Sequence, residues 1–560
     1  MFEKMVVSLK KTTNDVVSVN ESSNSSNSFI NGGLKASAET LSGNGALKYS
    51  TTGNPFVDQF GVLGSYRKPR TYNEIVMDCE ILWAKNKRYA VLFIFYIRMI
   101  TRIVSLFNGL STKISQKGAQ LKHEGIMRML WLYNKDNNIF WKNIGLFVSV
   151  GSWNDIFVML RHDLMYHGWD GRILDWKKFG DLILSGLNNE NTTNLVRKYL
   201  PQIKSGSKDK TLKNQANTII GKWLASLLFG SKEVNNKGYE MYRKYKRDGT
   251  AHQWQQLISQ GKHDLLDFNT IHGRALSLLV KSKYLLNHGL GEKFNEWVKK
   301  PETNVKYTGF VHEIMCSLPN HRTDLDDNVY ETTNKQFKTL VNKGGEKKRT
   351  NLIVVRDTSG SMGSNATGTN YSCYNIAKAL ALYFSEFLTG TFENSWIEFN
   401  SAAKLHKWVG DTPVDKWYND QSSYYGSTDF QKVINLFGRL KQEGVPESEF
   451  PTGILCISDG EFNPSSLNRT NFEDTKIKLK NYGFSNNYVN NFVVVLWNLQ
   501  NNYYGRNSGK KFETYGNVPN AFYFSGYEPS VISFLDDKIK TPQELFEEAM
   551  NQEVLNMVEV

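Results

Sequence analysis

Cysteine is scarce in this chain, with four among 560 residues. The four lie far apart, and none shows the paired spacing of a zinc site or a disulfide framework: Cys79, Cys316, Cys373 and Cys456. This excludes a small secreted protein held together by disulfides. We expect reduced thiols and an intracellular, cytoplasmic protein.

Long apolar runs are also missing. The longest, Tyr89–Ile97, ends at Arg98 and is far shorter than the ~20 residues that span a bilayer. The first residues lack the apolar segment and cleavage site of a signal peptide. We therefore predict a buried helix at Tyr89–Ile97 and no membrane partner.

Motifs of common enzyme classes are absent as well. The chain has no phosphate-binding Gly-x-x-x-x-Gly-Lys-(Ser/Thr) loop, no His-Glu-x-x-His and no Gly-x-Ser-x-Gly. A bound cation is catalytic only with a substrate, an activated nucleophile and acid–base groups. We predict that the protein is not an enzyme.

What the chain does contain is an apolar strand that ends in oxygen side chains. Leu352–Val355 is a β-branched run typical of a buried parallel strand. Asp357, Ser359 and Ser361 follow it, in a loop where open α/β sheets bind ligands. One carboxylate with neutral oxygens suits a hard cation such as Mg²⁺. The alternative is a polar strand-to-helix turn with an aspartate cap.

Two later segments offer further oxygens. Thr428 lies in a Gly/Ser turn just before the amphipathic run Phe430–Leu440. Asp459 ends another apolar strand, which begins at Gly453. Three loops at strand ends or helix starts therefore each carry an oxygen side chain.

The order and rough spacing of these segments resemble the metal-ion-dependent adhesion site of von Willebrand factor A domains. The resemblance implies that Asp357, Ser359 and Ser361 bind Mg²⁺ or another divalent cation directly. It also implies that Thr428 and Asp459 complete the site, directly or through water. A protein partner that donates a carboxylate to the metal is then possible.

The rest of residues 351–560 alternates between helical and strand patterns. Helical spacing occurs at 370–388, 430–440, 472–482 and 541–557, and strand patterns at 396–399, 404–408, 492–497 and 521–524. This alternation predicts a doubly wound α/β domain with a mostly parallel sheet.

The part before residue 351 is helical by pattern, with no convincing strand. Helical apolar spacing occurs in ten segments: 72–85, 88–107, 118–133, 141–150, 153–164, 176–187, 214–228, 253–259, 271–280 and 291–297. Successive helices without a strict repeat predict an all-α, HEAT-like solenoid. The predicted division is a disordered Ser/Asn-rich tail at 1–46, the helical domain at 47–343, a linker at 344–350 and the α/β domain at 351–560.

Charge divides the chain at the same place. Residues 1–350 carry 51 Lys/Arg and 31 Asp/Glu, whereas residues 351–560 carry 17 and 24. A basic part joined to an acidic metal-site domain suggests that the basic part meets a polyanion.

The most basic interval, 197–247, contains a segment in which rings alternate with cations. Its members are Tyr242, Arg243, Lys244, Tyr245, Lys246 and Arg247. Cations neutralise phosphates and rings stack on unpaired bases, so this segment is the predicted RNA-binding site. The alternative is a solvated helix face whose tyrosines pack inward.

Helical repeats followed by a von Willebrand factor A domain resemble the layout of the Ro autoantigen and its relatives. The segment Val150–Phe157 resembles a Tyr-Gly-x-Trp-(Asp/Asn)-Asp-Leu element of their repeats, with Val150 in place of the tyrosine. The segments Asn44–Pro55, Asp248–Gln256 and Phe268–Ala275 resemble blocks of an uncharacterised family with the same layout, found in plants, fungi and large DNA viruses. For a viral source, the host cytoplasm or the virion is the expected location.

The Ro resemblance implies a ribonucleoprotein component whose helical domain binds single-stranded or structured small RNA. The other hypothesis is a metal-dependent scaffold for protein interactions that binds no nucleic acid. The charge division and the alternating rings and cations favour RNA, and the metal motif is compatible with both.

Overall fold

The computed structural model of the chain has a largely helical first part and a second part built on a six-stranded sheet. The structure describes residues 39–41, 47–49, 51–67, 69–100, 102–105, 113–203, 211–230, 236–250, 253–271, 273–282, 284–307, 309–344, 351–366, 368–388, 392–464, 469–500, 518–527 and 540–560. Within these ranges, no helix combines the length and apolarity needed to cross a membrane.

Helices dominate the first part. They are α1 (Pro55–Gly61), α2 (Tyr72–Lys85), α3 (Lys87–Arg98), α4 (Lys122–Lys135), α5 (Asn137–Val150), α6 (Asn154–His167), α7 (Trp176–Asn188), α8 (Thr193–Tyr199), α9 (Leu212–Phe229), α10 (Asn236–Thr250), α11 (Gln253–Ser259), α12 (Gly273–Lys281), α13 (Tyr284–Asn287), α14 (Gly291–Lys299), α15 (Val311–Met315) and α16 (Asp327–Gly344). Local sequence sets several boundaries: Thr71 and Glu74 form a capping box at α2, and Asn86 caps α3. Every residue from Ala90 to Arg98 in α3 is buried, as predicted for the apolar run.

Two short hairpins also lie before residue 351, so the prediction of a helical part without strands is wrong. Strands β1 (Glu39–Leu41) and β2 (Leu47–Tyr49) pair antiparallel, as do β3 (Arg102–Ser105) and β4 (Lys113–Gln116). The helix predicted to reach residue 107 ends at Arg98, because Met99 leaves the helical conformation with ψ of 133° and the Ile100 amide donates to the Val150 carbonyl.

Strands β1 and β2 also lie on either side of the predicted boundary between 46 and 47, so β1 falls inside the predicted tail. The remainder of that tail, residues 1–38 and 42–46, lies outside the described residues. The same holds for residues 345–350 of the predicted linker, whereas Gly344 is the last residue of α16.

The second part is a mixed α/β domain. Its strands are β5 (Leu352–Asp357), β6 (Ser395–Phe399), β7 (Ala403–Lys407), β8 (Gly453–Ser458), β9 (Val493–Asn498) and β10 (Ala521–Ser525), in the sheet order β10-β9-β8-β5-β6-β7. Only β7 pairs antiparallel. All six residues of β5 and of β8 are buried, so both faces of the sheet are covered there. The helices are α17 (Cys373–Ser385), α18 (Pro413–Asn419), α19 (Gln431–Gln442), α20 (Asn471–Asn481), α21 (Asn486–Asn491), α22 (Pro542–Met550) and α23 (Glu553–Asn556).

The two parts share one continuous apolar core, and two of the contacts between them involve α22 and α16. At one contact, Phe546 of α22 stacks on Phe56 of α1 at 5.5 Å between ring centroids and meets Phe93 of α3 edge-on. At the other, the Tyr330 hydroxyl of α16 donates to Asp415 Oδ2 in α18 at 2.8 Å. The helical part therefore meets the α/β part near both ends of its own sequence, and Lys117 and Asn143 add hydrogen bonds to Gln552 and Glu559.

Candidate metal centre

The predicted metal ligands lie where two neighbouring parallel strands end. Strands β5 and β8 pair in register, with Arg356 opposite Ile457, so Asp357 and Ser458 finish at the same edge of the sheet. Asp459 follows Ser458 directly. Both carboxylates are almost completely buried, with 0% of Asp357 and 2% of Asp459 exposed.

The loop after β5 folds back on its own first residue. The Ser359 amide donates to Asp357 Oδ1 at 2.8 Å, which curls the loop around the carboxylate. The hydroxyl oxygens of Ser359 and Ser361 lie 3.2 Å apart. These three side chains are therefore close together, as the motif predicts.

Thr428 is brought to the same edge by backbone hydrogen bonds between loops. The Gly360 amide donates to the Gly426 carbonyl at 3.1 Å, and the Thr428 carbonyl accepts from the Asn463 amide at 2.9 Å. Gly426 has φ of +77°, and a Cβ there would lie 2.6 Å from the Ser401 hydroxyl, so the turn requires glycine. Thr428 itself is buried, between the loops that carry Asp357 and Asp459.

The surroundings of Asp357 and Asp459 disfavour two negative charges. Burial and the nearby Asp459 raise the pKa of Asp357 to about 7, although hydrogen bonds from Ser458 and Ser359 act in the opposite direction. Burial also raises the pKa of Asp459, with a hydrogen bond from Ser361 opposing the shift. Asp459 Oδ2 is buried and has no hydrogen-bond partner among the described residues.

These residues fit a hard divalent cation. Two carboxylates and three hydroxyls supply only oxygen donors, which suits Mg²⁺ better than a metal that prefers nitrogen or sulfur. The part of the chain that the structure describes has no group of three or more His, Cys, Asp or Glu side chains placed to hold a metal ion. The unpaired Asp459 oxygen and the raised pKa of Asp357 are both features that a bound cation would relieve.

Sequence reasoning missed two neighbours of the candidate metal centre. The Ser458 hydroxyl donates to Asp357 Oδ2 at 2.5 Å, a role that its position before Asp459 at a strand end could have suggested. Behind the site, Arg356 pairs with Asp420 at 2.6 Å, and both side chains are buried. No local sequence pattern predicts the Arg356–Asp420 pair, because the two residues are 64 positions apart in the chain.

The predicted RNA-binding segment lies in α10, and its inner side is packed against residues 198–203. Tyr242 is 0% exposed, and its hydroxyl donates to the Pro201 carbonyl at 2.9 Å, so the prediction that this ring stacks on a base is wrong. Helical periodicity turns Tyr242 toward the core, as the alternative interpretation held.

The other members of the segment differ in exposure. Arg243 Nε donates to the Ile203 carbonyl at 3.2 Å, and Lys246 Nζ donates to the Leu200 carbonyl at 2.5 Å. Tyr245 is half-buried under the Arg197 guanidinium, 4.1 Å from the ring centroid. Lys244 and Arg247 are exposed, so they are the members of the segment that solvent reaches most freely.

Comparison with known families separates the two parts of the chain. A family model described as a domain of unknown function, DUF7788, matches residues 351–559. The match contains the six-stranded sheet and all five predicted metal ligands. No curated protein matches the chain. The family match thus marks the α/β part as a unit without naming an activity for it.

Proposed function

We propose that the protein is an RNA-binding, Ro-like ribonucleoprotein component that carries Mg²⁺ in an adhesion site. In this proposal the helical part is a HEAT-like solenoid and the α/β part is a von Willebrand factor A domain. RNA, single-stranded or structured, is the main partner, and the cytoplasm is the location. The protein performs no catalysis.

The metal part of the proposal is carried by one observation. Asp357 and Asp459 are buried side by side, and Asp459 Oδ2 lacks a hydrogen-bond partner among the described residues. A buried carboxylate pair without a cation is costly, and a divalent ion held by both groups removes that cost. Ser359, Ser361 and Thr428 supply neutral oxygens at the same place.

The RNA part rests on charge and on arrangement. Residues 1–350 hold 51 Lys/Arg against 31 Asp/Glu, an excess suited to a polyanion. Contacts near both ends of the helical part are compatible with a curved solenoid that the α/β domain closes. Within the segment 242–247, Lys244 and Arg247 are the exposed cations and are therefore the residues best placed to contact phosphates.

RNA binding is tested by fluorescence anisotropy on the full chain with labelled single-stranded and hairpin RNA across a salt series. Affinity should fall steeply with salt, by roughly 0.7 log units per log unit of salt for each phosphate contacted on a single strand. A control protein of equal lysine content sets the level of unspecific attraction. Binding no tighter than that control would reject RNA as the partner.

A metal-dependent protein scaffold is the second candidate, and one observation favours it. Tyr424 and Tyr425, in the same loop as Thr428, are 52% and 59% exposed. Exposed tyrosines next to a metal are suited to a protein interface. In that case a partner supplies a carboxylate to the metal, and capture of a partner should require Mg²⁺ while RNA binding is absent.

A further inference from the structure

The end of α6 and the turn that follows it display aromatic rings that are not part of the protein core. Tyr166 is 70% exposed and Trp169 is 40% exposed. Their neighbours Met165 and Ile173 are exposed as well. Exposed aromatic rings so close in sequence are unusual on a surface that covers nothing.

Tyr166 is the outer end of an aromatic stack, and Trp169 is the outer end of a row of rings that meet edge to face. The Tyr166 ring lies 4.3 Å from the His162 ring and parallel to it within 30°, and His162 in turn packs on Tyr72. Burial, His167 and His123 lower the pKa of His162 to about 4, so this stack is uncharged at neutral pH. The outer face of the Tyr166 ring is therefore free to stack on a further flat ring.

The row of edge-to-face rings that begins at Trp169 ends in a cation. The Arg172 guanidinium lies 3.5 Å from the centroid of the Trp169 ring, and Trp169 meets Trp176 at 5.3 Å. Trp176 then contacts Trp223 at 4.8 Å. A guanidinium on an indole offers both a flat surface and a positive charge, the two features that a nucleotide engages.

A buried carboxylate holds the turn rigid. Asp163 accepts hydrogen bonds from the Ile173 and Leu174 amides at 3.0 and 3.2 Å and from Trp176 Nε1 at 2.9 Å. It also bonds His167 Nδ1 at 3.0 Å. The rings are therefore presented by a preorganised turn, which reduces the entropy lost on binding.

Three further cations lie on α6 and on helices near it: Arg161 directly precedes His162 in α6, Lys122 directly precedes His123 in α4, and Lys213 lies in α9. Burial lowers the pKa of Lys122, and Arg98, Arg161 and Lys213 are close enough to act in the same direction, while Asp155 acts in the opposite direction. None of the three has a carboxylate ion-pair partner among the described residues, and Asn217 Oδ1 orients Arg161 at 3.1 Å. His123, next to Lys122, is in turn close enough to affect His162. Residues 165–173 contain one acidic residue, Asp170.

We propose that this surface is a binding site for single-stranded nucleic acid, RNA if the proposed function holds. Unpaired bases stack on Tyr166 and Trp169, and Arg172 with the cluster Lys122, Arg161 and Lys213 contacts the phosphates. The inference rests on the proposed function but places the stacking rings in a different region from α10. The net positive charge of the helical part favours a polyanion over an apolar peptide here.

The test compares ring and charge variants of the full chain in anisotropy titrations with short poly-uridine RNA, the matching poly-thymidine DNA and an RNA duplex. Replacing Tyr166 and Trp169 together by Ala should weaken single-strand binding about tenfold or more, with little change in the salt slope. Phe at both positions should restore most of the affinity. Thermal melts verify that each variant is folded.

The charge variant should behave differently. Replacing Lys122, Arg172 and Lys213 by Ala should flatten the salt slope by roughly 0.7 for each phosphate that is no longer neutralised. The matched control, Leu278→Ala with Leu286→Ala, removes two exposed apolar side chains elsewhere in the helical part and should leave affinity unchanged.

The outcomes separate the inference from the proposed function. If wild type fails to bind any of the nucleic acids above the lysine-matched control, the proposed function and this site both fail. If wild type binds but the Tyr166/Trp169 variant binds equally well, RNA binding stands and this site is rejected. Equal loss for RNA and DNA shows base stacking without sugar recognition, and a larger loss for RNA shows contacts to the 2′-hydroxyl.

Discussion

The helical part and the α/β part both bury carboxylates, but they neutralise them differently. Glu124 in α4 lies between two arginines, with Arg70 Nη2 at 2.5 Å and Arg128 Nε at 2.9 Å. Burial by itself would raise the pKa of Glu124, but the two arginines hold it below its usual value. Asp357 at the end of β5 is equally buried, faces Asp459, and has its pKa raised to about 7.

The difference lies in whether the chain itself supplies a counter-charge for each buried carboxylate. The helical part supplies its own cations, as Arg98 does for Asp155 at 2.6 Å between Nε and Oδ2. The candidate metal centre supplies only oxygen donors, and in our proposal a cation from outside the chain balances its charge. The predictions below test this contrast, from the largest expected effect to the smallest.

Glu124→Gln should destabilise the protein strongly. Among the described residues, the change leaves the buried Arg70 and Arg128 with one shared carboxylate, Asp78, at 2.7 and 3.6 Å. One buried positive charge is then uncompensated, which costs about 3–5 kcal/mol. Asp357→Asn, measured without divalent cations at pH 8, should be neutral or stabilising because it removes an uncompensated charge. Denaturant unfolding of both variants measures the change in the free energy of unfolding. Equal losses of stability would contradict the proposed difference between the two parts.

Mg²⁺ should stabilise the wild-type protein. At a hundred times its Kd, a ligand of the folded state adds about 2.7 kcal/mol, visible as a rise in Tm. Asp357→Ala should abolish this gain, and Asp459→Ala should reduce it less if that carboxylate acts through water. The exposed Asp411, replaced by Asn, is the control for a simple loss of charge. If Mg²⁺ does not raise the Tm of the wild-type protein, the proposal of an adhesion site is wrong.

Stability without metal should depend on pH through Asp357. Its pKa is about 7 in the folded state and 3.8 ordinarily, so the folded state binds the proton more tightly. The contribution of this group to stability is therefore complete below about pH 4 and is lost as the pH rises through 7. Asp357→Asn should flatten this part of the curve.

The gain from Mg²⁺ should grow over the same pH range, because the cation binds the ionised carboxylates. Melting curves from pH 5 to pH 8, with and without Mg²⁺, measure both trends. A Mg²⁺ gain that is constant with pH would show that Asp357 is not a ligand.

Tyr242→Phe should have the smallest effect. It removes the hydrogen bond to the Pro201 carbonyl and leaves the ring in place, at a cost of about 1 kcal/mol. RNA affinity should not change, because the ring is buried. A large loss of affinity in a fully folded Tyr242→Phe protein would restore α10 as a stacking site.

Local patterns predicted much of the secondary structure. Helices at Tyr72–Lys85 and Gln253–Ser259 have the predicted bounds, because apolar spacing and caps act over a few residues. Asp357, Ser359, Ser361 and Asp459 lie together because the ends of two parallel strands share an edge, and hydrogen bonds between loops bring the segment of Thr428 to that edge. Whether they bind a metal remains a prediction.

What the sequence did not predict depends on partners distant in the chain. Helices α10 and α16 carry many polar residues, and packing against other helices stabilises them. The Arg70–Glu124 pair spans 54 residues, and the platform of Tyr166 and Trp169 becomes visible only when their exposure is known. Sequence patterns reflect only residues that are close in the chain, so they do not reveal such long-range contacts.

The packing of α22 on α1 and α3 has a consequence for synthesis. Phe93 in α3 finds its neighbour Phe546 only after about 450 further residues have been added, which takes roughly 20–90 s at ordinary translation rates. During that interval an apolar face of α3 has no cover from its final partner. We therefore expect nascent chains to need chaperones at this face, and shortened chains ending before residue 542 to aggregate.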